Sequence, residues 1–101
     1  MSTTEDRNDP DLSVKDEKGM QKKYLVLSEE EREKGFTRPL HVAYTHMTCG
    51  AVTTISKAIA ETYARDPKFY THTYCTTCRD HFPVGEDGEF IWTRDETKVG
   101  T

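Results

Sequence analysis

The chain has 101 residues, of which 34% are hydrophobic and 32% are charged, and its formal net charge is −4. This length allows at most one domain. The apolar residues of the chain can form only a small core, and such cores often need additional stabilisation, for example by structural zinc. The acidic balance disfavours non-specific nucleic-acid binding, which relies on positive charge to neutralise phosphates.

Residues 1–22 are polar and charged, with almost no large apolar side chain. Such a segment cannot bury enough apolar surface to offset its loss of chain entropy, so we predict a disordered N-terminal tail. Its start lacks the basic and apolar regions of a secretion signal, and the chain has no apolar run of about 18 residues. The three cysteines suit a reducing compartment, so we expect a cytoplasmic protein with no membrane segment.

A single zinc-binding domain is predicted over residues 23–95, beginning with two short elements. Residues 24–27 are an apolar run that predicts a strand. Ser28 is followed three residues later by a glutamate, the capping-box pattern, and Gly35 is a natural helix stop. We therefore predict a short helix over residues 29–34.

The next strand is predicted to end at the first half of a metal site. Four residues share one parity, as expected for one face of a strand: Leu40, Val42, Tyr44 and His46. Two residues separate His46 from Cys49, a spacing that lets a tight turn direct both side chains at one centre. Gly50 follows directly and permits the positive φ that such turns often need.

An amphipathic helix is predicted between the two halves of the site, ending near Arg65. Its less polar residues recur at helical spacing and form one stripe, which we interpret as core: Ile55, Ala58, Ile59, Thr62 and Tyr63. Thr53 or Thr54 is expected to cap the first turn, and the Asp-Pro pair at residues 66–67 ends the helix.

The second half of the site follows a strand-like stretch at residues 69–74. Cys75 and Cys78 repeat the two-residue spacing, which completes the pattern H-x2-C…C-x2-C and uses all the cysteines. Two such pairs supply the four ligands of a tetrahedral Zn²⁺ site, and we predict these ligands: His46, Cys49, Cys75 and Cys78. A redox role for the second pair is disfavoured because no helix is predicted after it.

The histidine ligand has two alternatives. His72 precedes the second cysteine pair by three residues and His81 follows it by three, so either could replace His46. We prefer His46 because it alone forms a separate pair with Cys49. The other histidines, including His41, are interpreted as polar surface residues.

The last predicted element is a hairpin after the second cysteine pair. Residues 86–88 are a turn signal, residues 89–93 form the return strand, and residues 96–101 form a polar C-terminal tail. The predicted fold class is therefore α+β: a small zinc-stabilised domain with zinc-ribbon or rubredoxin-like knuckles, an inserted helix and short β-strands.

Several motifs give the chain a resemblance over residues 24–100. They lie at residues 38–39, 46–50, 60–70, 74–78, 81–86 and 88–92. In these motifs the chain resembles a family of small, mostly uncharacterised proteins encoded by bacteriophages and prophages. The resemblance implies a phage origin, a zinc-binding body and the cytoplasm of a host cell. It implies no catalytic residue, because no activity is established for the family.

The function most consistent with the sequence is a protein-binding module that modulates a host or viral protein, such as a host factor or a defence complex. The alternative is a nucleic-acid-binding zinc ribbon, in which four aromatic residues would stack on bases: Tyr70, Tyr74, Phe90 and Trp92. An enzyme is less consistent, because the H-x-E and P-C-x-x-C signatures of zinc deaminases are both broken and no catalytic constellation is recognisable.

Overall fold

A computed structural model describes residues 2–101 and gives a mixed α/β fold with seven short strands and two α-helices. The strands are β1 (Thr3–Thr4), β2 (Tyr24–Leu25), β3 (Ala43–His46), β4 (Val52–Thr54), β5 (His72–Cys75), β6 (Asp80–Pro83) and β7 (Phe90–Trp92). The helices are α1 (Glu29–Arg32) and α2 (Lys57–Arg65), with a 3₁₀ helix at Pro10–Ser13. None of the described helices is long and apolar enough to cross a membrane.

The strands form three separate sheets. An antiparallel sheet has the order β4-β3-β7, with Tyr44 opposite both Thr53 and Trp92. Strands β5 and β6 form an antiparallel hairpin, and β1 and β2 form a parallel pair. The mixed composition of helix and strand agrees with the sequence prediction.

The predicted hairpin after the second cysteine pair is wrong. The turn is present, since the Gly88 N–H donates to the Gly85 carbonyl at 2.9 Å. Strand β7 nevertheless pairs with β3, while β6 pairs with β5 across the tight turn that contains the second cysteine pair. The C-terminal strand therefore joins the sheet of the first metal pair.

Helix α2 is capped by Ser56, whose hydroxyl accepts a hydrogen bond from the Ile59 N–H at 3.4 Å. The predicted caps, Thr53 and Thr54, are wrong because both residues belong to β4. Three residues of the predicted stripe, Ile59, Thr62 and Tyr63, are buried in α2, together with Ala60 and Ala64.

Helix α1 begins as predicted, with the Ser28 hydroxyl accepting from the Glu31 N–H at 3.1 Å. It ends at Arg32, two residues earlier than predicted. The Arg32 guanidinium lies 2.6 Å from the Glu61 carboxylate, which joins the short helix to α2. Both partners are largely buried, so this ion pair is less screened by water than a surface pair.

Residues 2–22, predicted as a disordered tail, include β1 and the 3₁₀ helix, and Met1 lies outside the described residues. Strand β1 pairs with β2, and the Tyr74 hydroxyl donates to the Lys18 carbonyl at 2.6 Å. Gly19 has φ +80° and packs so closely on the Arg79 backbone that a side chain would collide there. The segment is held mainly by polar contacts with distant residues, which its lack of apolar side chains does not reveal.

The predicted C-terminal tail also packs onto the domain. Val99 is 0% exposed, and its carbonyl accepts from the Gly85 N–H at 2.7 Å. Lys98 forms an isolated bridge with Ile91 of β7. A single apolar side chain in a polar stretch is enough to anchor these residues to the core.

Candidate metal centre

Each half of the predicted metal site lies in a turn between two antiparallel strands. His46 ends β3, and Cys49 lies in the turn to β4. Cys75 ends β5, and Cys78 lies in the turn to β6. The inserted helix α2 follows the first of these hairpins and precedes the second.

The two turns have the same backbone geometry. The Gly50 N–H donates to the His46 carbonyl at 2.7 Å, and the Arg79 N–H donates to the Cys75 carbonyl at 2.8 Å. The residue after the last ligand has a positive φ in both turns, 75° at Gly50 and 55° at Arg79. The sequence indicates this conformation only in the first turn, where glycine adopts it without strain.

The turns bring the four residues predicted as ligands into one cluster. Cys49 Sγ lies 3.3 Å from His46 Nδ1 and 3.5 Å from Cys75 Sγ, and Cys78 Sγ lies 3.7 Å from His46 Nδ1. All four candidate ligand atoms lie within 4.8 Å of one another. Zn–S bonds of about 2.3 Å in a tetrahedron imply sulfur–sulfur distances of about 3.8 Å. The cluster could therefore hold a four-coordinate metal ion.

His46 presents its two ring nitrogens to different partners. Nδ1 faces the thiols, and Nε2 lies 2.9 Å from Oε1 of Glu89, which also accepts from the Thr48 hydroxyl at 3.0 Å. The hydrogen bonds from His46 and Thr48 lower the pKa of Glu89 below its ordinary value. A carboxylate at Nε2–H leaves the Nδ1 lone pair free for a metal, as is usual for metal-bound histidines.

Packing also fixes the His46 ring, which is 1% exposed. It stacks against Phe82 and Phe90 at centroid distances of 4.6 and 4.7 Å. Cys75 is fully buried, whereas Cys49 and Cys78 reach the surface. The cluster thus has a rigid inner half and an outer half that solvent can reach.

The thiols differ in acidity. The backbone N–H of Ala51 lowers the pKa of Cys49 to about 7, with smaller contributions from Cys75 and His46. Desolvation, followed by hydrogen bonds to Cys49 and Cys75, raises the pKa of Cys78 to about 11. A cation between the sulfurs favours all of the thiolates at once, so metal binding would offset the desolvation and the neighbouring thiols that raise the pKa of Cys78.

The alternative histidines lie outside the cluster. His72 is exposed, and Nε2 of His81 lies 2.9 Å from the Tyr24 hydroxyl. His41 is buried and stacks on Trp92 with centroids 4.8 Å apart. The interpretation as surface residues is therefore wrong for His41, because its ring covers an aromatic residue of the core.

Glu89 is the functional candidate that the sequence analysis missed. It directly precedes β7, and the Met47 N–H donates to its carbonyl at 2.9 Å. Its position beside His46 depends on the pairing of β3 with β7, which was not predicted. Knowledge of that pairing would place an acidic residue next to the predicted histidine ligand.

The four aromatic residues considered for base stacking belong mainly to the core. Tyr74 is 2% exposed, Phe90 0% and Trp92 7%, and Tyr70 is partly buried against the same cluster. Tyr44 packs edge-on against Phe90 at 5.0 Å. These rings stabilise the fold and offer little free surface to a base.

Comparisons with known proteins assign the chain to no family. No protein-family model matches the chain, and searches of curated proteins and of solved structures find no match.

Proposed function

We propose that this chain is a small protein-binding module whose fold depends on one structural Zn²⁺ ion. The observation that carries the proposal is the convergence, from two equivalent turns, of the proposed ligands His46, Cys49, Cys75 and Cys78 within 4.8 Å. Four protein ligands fill a tetrahedral coordination sphere and leave no open position for a catalytic water. Two facing knuckles are also the arrangement of a zinc ribbon, here with α2 inserted between them.

The connectivity of the sheets supports a structural role for the metal. The first knuckle belongs to the β4-β3-β7 sheet and the second to the β5-β6 hairpin, and no described strand pairing joins the two. A metal ion would cross-link them through bonds stronger than the packing of a small core supplies. The ion would thereby help to fix the relative positions of two sheets that share no strand pairing in the described residues.

Exposed apolar residues near the first knuckle support a protein partner. Six large apolar residues are exposed in residues 2–101, and four of them lie on or beside β3 and β4: Leu40, Val42, Met47 and Val52. Strand β4 is also an edge strand of its sheet. Exposed apolar side chains beside a sheet edge are typical of an interaction site. The phage resemblance favours a host or viral protein as the partner, met in the host cytoplasm.

The metal is tested by elemental analysis of protein purified without added metal, which should contain about one zinc per chain. His46→Ala should lose most of this zinc, and His46→Cys should restore it by completing a four-thiolate site. His72→Ala removes an exposed histidine outside the cluster and serves as the matched control. Iron in place of zinc, or full zinc retention by His46→Ala, would contradict the proposed centre.

The partner surface is tested by affinity capture from host lysate. Wild-type protein should retain one partner in near-stoichiometric amount, and a Val42→Asp/Val52→Asp variant should lose that partner while keeping its zinc. Val14→Asp changes an exposed valine far from this surface in sequence and should retain the partner. No stoichiometric partner, or equal retention by all three proteins, would count against a protein-binding module.

A further inference from the structure

A cavity of about 710 Å³ lies between the N-terminal segment and the connection from α2 to β5. None of the four candidate metal ligands lines it. Its charged lining consists of three cations, Arg7, Lys15 and Lys68, and one carboxylate, Asp66. The cavity therefore carries an excess of positive charge in a chain whose formal net charge is −4.

The three cations have no carboxylate partner within residues 2–101. Four other basic side chains do form ion pairs with acids, among them Lys23 with Asp9 at 3.1 Å and Lys34 with Glu31 at 2.9 Å. The Arg7 guanidinium instead lies 5.8 Å from the centre of the Phe69 ring. Three cations around one cavity, none of them paired with a carboxylate, create a positive potential that attracts an anion.

His81, which also lines the cavity, carries an unsatisfied polar atom. Its Nε2 is engaged by the Tyr24 hydroxyl at 2.9 Å, while Nδ1 is buried without a hydrogen-bond partner. Desolvation lowers the pKa of His81, and the positive charge of Lys15 lowers it further, partly opposed by Asp80. Buried polar atoms are nearly always paired in folded proteins, so this unpaired nitrogen on a residue of the lining is unusual.

We propose that this cavity binds the phosphate group of a small phosphorylated molecule. We infer phosphate because the planar fork of an arginine and the ammonium groups of lysines both form charge-assisted hydrogen bonds with phosphate oxygens. The volume is typical of a small-molecule site and exceeds the needs of phosphate alone. Apolar lining from Leu12, Leu25 and Phe69 offers room for the rest of a phosphate ester.

The test is an NMR titration of the zinc-loaded full chain at constant ionic strength. Inorganic phosphate, ribose 5-phosphate and AMP are compared with adenosine, which has no phosphate. Saturable shifts should appear around Arg7, Lys15 and residues 68–72 with the three phosphates and not with adenosine. Tighter binding of AMP would identify a nucleotide as the ligand class, and equal affinities would identify phosphate itself; both support the site.

Matched lysine variants separate a built site from general charge attraction. Lys68→Ala should weaken phosphate binding about tenfold, as expected for the loss of one charge-assisted hydrogen bond. Lys57→Ala removes the same charge at the exposed start of α2, outside the cavity, and should leave the affinity unchanged. Equal weakening by both variants, no saturable shift with any phosphate, or binding of adenosine like AMP would overturn the proposal.

Discussion

Several neighbours fix the position of His46, and the contact with Glu89 determines which ring nitrogen would face a metal ion. Oε1 of Glu89 lies 2.9 Å from Nε2 of His46 and keeps the proton on that nitrogen. The rings of Phe82 and Phe90 fix the plane of the imidazole. Removing an outer carboxylate of this kind typically lowers metal affinity by about 10–100-fold. We therefore expect Glu89→Ala to weaken zinc binding by about this factor in a chelator competition.

Glu86→Ala provides the control for this substitution. It removes the same charge three residues away, from a side chain without an ion pair in the described part of the chain. Its zinc affinity should match that of the wild type. Equal losses in both variants would show that net charge, not the orientation of His46, determines the effect of residue 89.

The residues of the centre differ in how far the sequence reveals them. His46 and Cys49, like Cys75 and Cys78, are close in sequence, so local spacing alone predicts each pair. Glu89 lies 43 residues from His46, and only the pairing of β3 with β7 brings them together. Local sequence patterns predict the candidate ligands, whereas the contact that orients His46 depends on tertiary structure.

At the level of elements, the start of α2 shows how strand pairing changes a local prediction. Thr53, Thr54 and Ser56 all have hydroxyls suited to an N-cap, and sequence alone does not separate them. Pairing with β3 places both threonines in β4, which leaves Ser56 to cap the helix. A second, long-range pairing, of β3 with β7, places β7 outside the predicted hairpin.

Ser56→Ala is expected to destabilise the zinc-loaded protein by about 1 kcal/mol, because it leaves the Ile59 N–H without its capping acceptor. Thr54→Ala, an exposed position in β4, should cost less than half as much. Urea unfolding followed by circular dichroism measures both values. A larger loss of stability for Thr54→Ala would indicate that Thr54, as predicted from the sequence, caps the helix.

At the level of the whole molecule, both ends of the chain contribute to the fold. Val99 is completely buried although it stands alone in a polar segment, whereas Val14 is 38% exposed. Deleting buried methyl groups removes transfer free energy and leaves a cavity, so Val99→Ala should cost about 2 kcal/mol. Val14→Ala should stay within about 0.5 kcal/mol of the wild type in the same urea experiment. Equal effects would mean that the C-terminal residues do not belong to the core.

Metal removal tests the whole architecture, because the proposed ion joins two sheets that share no described strand pairing. A chain of 101 residues with a small core has little stability to spare, and structural zinc can contribute about 10 kcal/mol or more to folding. We expect a strong chelator to collapse the dispersion of the amide NMR spectrum, and added zinc to restore it. Cys75→Ser should resemble the chelated protein, since it removes the buried thiolate, whereas the exposed Glu30→Ala should remain folded. A well-dispersed spectrum from zinc-free protein would show that aromatic packing alone holds the two sheets together.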